Sequence, residues 1–84
     1  GLINEVVPKN DLMDTAESWA SKIMECAPLS VVATKQMVCE GLALPLEEAM
    51  GFTYTEYEKA LVSDDYTDGP RAFSEKRKPD WKGK

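Results

Sequence analysis

Apolar residues recur at helical spacing along most of this chain. Leu12, Ala16, Trp19, Ala20 and Ile23 fall on one stripe. Asn10 or Asp11 precedes it as an N-cap, and Asp11 and Asp14 suit the positive end of a helix dipole. Ala27-Pro28 closes that helix and opens a second, because proline is tolerated in a first turn. The second carries Leu29, Val32, Ala33, Val38 and Leu42 and closes near Gly41. Its β-branched residues are weak helix formers, so burial has to hold it. The most regular stripe runs Leu46, Ala49, Met50, Thr53, Tyr54, Tyr57, Ala60, Leu61 and predicts one long third helix opening at Pro45. Gly51 interrupts that helix at a cost of about 1 kcal/mol.

The two ends read differently. Leu2, Ile3, Val6 and Val7 are strand formers stopped by Pro8, with no partner strand in the chain, so an extended leader is expected. Ser63-Asp64-Asp65 reads as a turn. Asp68-Gly69-Pro70 reads as the start of a short fourth helix, with Pro70 in its first position, Phe73 facing the core and Pro79 as the stop. Lys76 and Arg77 then emerge at its negative end, where cations are favoured. The predicted fold is all-α. It is a small bundle of three long helices and one short C-terminal helix behind a strand-like N-terminal leader, one domain over residues 1–84.

Charge changes this picture. Residues 71–84 hold six bases against two acids, a local charge of +4, whereas the first seventy residues carry −9 and the whole chain −5. Lys and Arg beside Phe73 and Trp81 suit a phosphate-bearing ligand with a flat ring; a solvated basic tail is the plainer alternative. No histidine is present, which removes the commonest general base and metal ligand. Cys26 and Cys39 form no CxxC, so no metal site is expected, and they read as reduced, half-buried thiols of an intracellular protein, cytoplasmic or in an organelle lumen. No apolar run approaches the roughly 20 residues of a membrane span. The start lacks both a basic signal region and an initiator methionine, so the chain is expected to begin inside something larger.

Four segments then acquire a meaning that spacing alone does not give them. Gly1-Leu2-Ile3-Asn4-Glu5-Val6-Val7-Pro8, Ala27-Pro28-Leu29-Ser30 with Ala33-Thr34-Lys35, Leu46-Glu47-Glu48-Ala49, and Arg71-Ala72-Phe73-Ser74-Glu75-Lys76-Arg77-Lys78-Pro79 occur in this order. Together they resemble the C-terminal region of the enoyl-CoA hydratase/isomerase (crotonase) family, over essentially the whole chain. The resemblance implies a larger N-terminal domain carrying the oxyanion donors and catalytic carboxylates, with a helical region like this one building a trimer or hexamer and covering the acyl-CoA site. It implies no catalytic residue in this segment and no cofactor beyond the coenzyme A thioester that is the substrate. Lys76 matches a lysine that reaches CoA phosphate or adenine, and Tyr57 matches an aromatic position lining the same ligand site; a core-stripe role explains Tyr57 equally well. Pro70 departs from the family pattern, so the fourth helix is expected to start late or bend.

Glu47 and Glu48 are a tempting carboxylate pair, but adjacent helical residues diverge by about 100° and share no face. They serve as first-turn partners of the helix dipole. The expected function is therefore a contribution of oligomer contacts and CoA binding to an enoyl-CoA hydratase of fatty acid metabolism, with an isomerase or another family lyase as the alternative. From other classes, a stand-alone helical interaction module and a nucleic-acid binder remain. The second has only one short basic patch on an acidic body, and the expectation is no nucleic-acid and no membrane partner.

Overall fold

A computed structural model describes residues 1–84. A 3-10 turn, Lys9–Asp11, leads into α1 (Leu12–Met24), followed by α2 (Pro28–Gly41), α3 (Leu46–Gly51), α4 (Thr55–Leu61) and α5 (Asp64–Ser74). There is no strand, and residues 1–8 form no regular element; the Glu5 carboxylate accepts a hydrogen bond from the Trp19 indole of α1 at 3.2 Å. The all-α expectation holds. The first two helices begin and end within a few residues of their sequence signals.

The third helix does not run through. The stripe from Leu46 to Leu61 is cut into α3 and α4, because Phe52 turns extended (ψ 140°) and Tyr54 stays extended (ψ 114°) before α4 begins. An unbroken helix would direct the Thr53 amide to the Ala49 carbonyl. Here the Tyr54 hydroxyl donates to that carbonyl at 3.0 Å, and the Tyr54 side chain is buried. Gly51 weakens the helix at this point, and burying an aromatic ring is worth more than continuing one turn.

The fourth helix also departs from expectation, starting six residues ahead of Pro70. Ser63 is its N-cap, its hydroxyl oxygen accepting the Tyr66 amide at 3.2 Å and donating to the Ala60 carbonyl at 2.7 Å. Pro70 thus lies inside α5, where it leaves the Tyr66 carbonyl without its intrahelical donor.

The best-packed pair is α2 against α4. Between them, the Gln36 side chain of α2 accepts the Glu56 amide at 2.9 Å and donates to the Thr55 hydroxyl at 3.3 Å, so α2 caps a helix whose own N-cap residue supplies no side chain. Ala33, Tyr54, Ala60 and Ala72 are the only buried apolar residues. The chain exposes 7094 Å², against about 5,000 Å² for a compact monomer of this mass. Its radius of gyration is 16.1 Å, against about 12 Å for a closed globule of this length. No helix is long and apolar enough to cross a membrane.

Candidate functional site

The basic end of the chain is not a free tail. After α5, residues 75–84 fold back along the helix that precedes them. The first turn of α5 has unpaired amides and accepts carbonyl partners, and the Asp64 amide donates to the Lys84 carbonyl at 2.8 Å. Asp65, buried, accepts the amides of Lys82 (2.7 Å) and Gly83 (2.9 Å) on its two carboxylate oxygens. One turn on, Asp68 accepts the Asp80 amide at 3.2 Å. The Trp81 indole crosses to α1 and donates to the Glu25 carbonyl at 2.9 Å, while its ring lies over Gly69, where a Cβ would come within 3.3 Å.

Asp68 is the centre of this clasp. Arg77 reaches both of its oxygens, at 2.5 and 3.2 Å, and Arg71 adds a third contact at 2.8 Å. The same Arg77 guanidinium donates to Glu75 at 2.6 Å and to the Lys78 carbonyl at 3.2 Å. Hydrogen bonds from Arg77, then Arg71, then the Asp80 amide hold the Asp68 carboxyl far below the usual carboxylate range. Asp68 and then Glu75 push the Arg77 guanidinium correspondingly up, and the Asp80 carboxylate raises the Lys82 ammonium. Three of the six bases in this stretch are therefore spent on internal pairs. Lys76, Lys78 and Lys84 carry no such partner.

Lys76 is held in an uncommon conformation. Its φ is +54°, the only left-handed non-glycine residue in the chain. It occupies the position just past the α5 C-cap, Glu75, where glycine is usual. Its amide donates to the Phe73 carbonyl at 3.2 Å and the Arg77 amide to the Ala72 carbonyl at 3.0 Å, the paired bonds of a Schellman motif. A side chain in this region costs about 1–2 kcal/mol over glycine.

The expected site residues are not all brought together. Tyr57 lies on α4, 43 % exposed, and shares no hydrogen bond or aromatic contact with the segment carrying Lys76. Tyr54 is the stripe aromatic that enters the core. Phe73, expected to face the core, is 87 % exposed, because the buried face of α5 is occupied by Asp65 and Ala72. It stands three residues before Lys76, in the last turn of α5. The two cysteines are free and exposed rather than half-buried. Sequence reasoning missed Asp65 and Asp68. Their i, i+3 spacing on one helix face was a signal, but their partners lie up to eighteen residues away in the returning segment.

The chain matches the enoyl-CoA hydratase/isomerase family across residues 1–84. It belongs to that family. Among curated members, the carnitinyl-CoA dehydratase of Salmonella agona is 38 % identical over 90 residues, covering the whole chain. The chain spans about a third of the length of the curated relatives it matches (34 %). Among solved crotonase structures, an enoyl-CoA hydratase/isomerase from Mycobacterium paratuberculosis superposes with a TM-score of 0.92 at 39 % identity, covering all of this chain and 33 % of that one. The enoyl-CoA hydratase of Mycobacterium tuberculosis H37Rv follows with a TM-score of 0.90 at 31 % identity, again over all of this chain and 33 % of its own. The family expectation read from the four sequence segments holds.

Proposed function

We propose that this chain is the helical C-terminal region of an acyl-CoA-processing enzyme that adds water to, or removes it from, a CoA thioester. Two of the relatives above are named for hydration or dehydration alone, one reaction read in opposite directions, and the third for hydration or isomerisation, which supports a hydratase with an isomerase as the alternative. The chemistry resides in an N-terminal domain of the same polypeptide, whose oxyanion donors stabilise the thioester enolate. This region supplies subunit contacts in a trimer or hexamer and a coenzyme A contact from Lys76 across a subunit boundary, with Tyr57, which does not meet Lys76 within one chain, lining the ligand site from α4. The cytoplasm, or the fatty-acid-oxidising organelle of a eukaryote, is the compartment this reading implies.

The observation that carries the Lys76 role is its backbone. A lysine sits where glycine is easier, exposed and without an ion-pair partner, just past the end of a helix and three residues after the exposed Phe73. Residues held in sparsely populated backbone conformations cluster at ligand clamps and active sites, and an ammonium on a long stem is a point charge suited to phosphate oxygens. In the native polypeptide, Lys76→Gly is expected to raise folding stability by about 1 kcal/mol through relief of the left-handed strain. The same change is expected to weaken CoA-thioester binding about tenfold. Denaturant unfolding and a direct binding titration test the two effects separately. A more stable variant with unchanged affinity removes Lys76 from the ligand site.

A further inference from the structure

We infer that Asp68 is a positioning residue for the Lys76 ammonium, acting through Arg77; this rests on the reading of Lys76 as a coenzyme A contact. Lys76 cannot hold its conformation by itself, since left-handed backbone is unfavourable for any residue with a Cβ. Two amide bonds close the motif around it, those of Lys76 and Arg77. What keeps the Arg77 amide there is the far end of the same residue. Its guanidinium is gripped at both oxygens of Asp68, and its remaining donors hold Glu75 and the Lys78 carbonyl. Every residue flanking Lys76 on the chain, 75, 77 and 78, is thus tied into one planar fork, while Lys76 itself is left out of it.

The arrangement has a chemical logic. Arginine's fork is rigid and matches a carboxylate bidentately, whereas lysine's ammonium is a mobile point charge. With Arg77 neutralised by Asp68, it does not compete with Lys76 for an anion. Asp68 also lies two turns back on α5, on rigid helix, so the clasp references the Lys76 backbone to the helix and not to the segment beyond it. A contact made by a long side chain gains affinity when its base is fixed in advance.

The test uses the native polypeptide, with CoA thioester and the matching acyl-pantetheine thioester, which lacks the nucleotide, as the two probes. Asp68→Asn keeps the shape and removes the charge. It is expected to weaken CoA-thioester binding about three- to tenfold, leave acyl-pantetheine binding unchanged, and speed hydrogen exchange at the Lys76 and Arg77 amides. In a Lys76→Ala background it is expected to do nothing further to CoA affinity. Should Asp68→Asn fold poorly, Arg77→Lys keeps the charge, breaks the fork and is held to the same outcomes. Equal weakening of both thioesters, or a full additional effect in the Lys76→Ala background, overturns the positioning role. If Lys76→Ala weakens CoA binding and neither clasp variant does, the positioning role fails alone; if Lys76→Ala itself changes nothing, the underlying reading fails.

Discussion

Gly41 shows how a single missing methyl decides a local structure. A Cβ there would meet the Tyr54 hydroxyl at 2.7 Å, whereas the ring carbon that bears the hydroxyl lies 3.7 Å away. Gly41→Ala is therefore expected to destabilise the chain by about 1–2 kcal/mol, through overpacking and loss of the Tyr54 bond to Ala49, despite alanine's better helix propensity. Removing the hydroxyl should reverse the sign. Tyr54→Phe costs about 1 kcal/mol in the native chain, yet it should stabilise a Gly41→Ala variant. Denaturant melts of the parent and the three variants check this, and additive losses would show that the close approach is not what glycine serves. Lys76 is the opposite case at the same scale: a residue with a side chain where glycine would be easier.

At the scale of elements, the division of one predicted helix into α3 and α4 creates a new helix start in mid-chain. That start has no capping side chain of its own, and Gln36 of α2 supplies it from twenty residues away. Gln36→Ala is expected to cost about 1 kcal/mol and to increase amide exchange at Glu56 selectively. A variant of unchanged stability and exchange would mean that water satisfies the amide equally well. The same logic governs α5. Its first amide, that of Asp64, is closed by the Lys84 carbonyl beside the Ser63 cap, and its C-terminus by the Schellman bonds around Lys76, so both ends draw on the segment that follows it.

For the molecule as a whole, the decisive fact is how little is buried. Leu2, Val6, Met24, Leu42, Met50 and Val62 are each more than three-quarters exposed. The helices thus leave much of their apolar surface in contact with water. The polypeptide of residues 1–84 taken alone is expected to self-associate or to remain loosely packed. Analytical ultracentrifugation and binding of an apolar dye check this. A monodisperse monomer with a full near-ultraviolet signal and no dye binding would show that the exposed stripes need no partner.

What the sequence determined by itself was what depends on neighbours along the chain. The period of its apolar residues, the caps and Pro28 are local signals, and they placed α1 and α2 and made the chain all-helical. The four family segments did the same for kinship. Only tertiary structure decided the rest. The Leu46–Leu61 stripe has helical periodicity throughout, but Tyr54 gains more from the core than the helix gains from one more turn. The fourteen residues at the basic end read as a charged patch because their acidic partners, Asp65 and Asp68, belong to a helix whose start the local signals at Gly69-Pro70 concealed. Charge counted along a chain adds up whatever the fold, but charge available to a ligand is what remains after the fold has paired the rest.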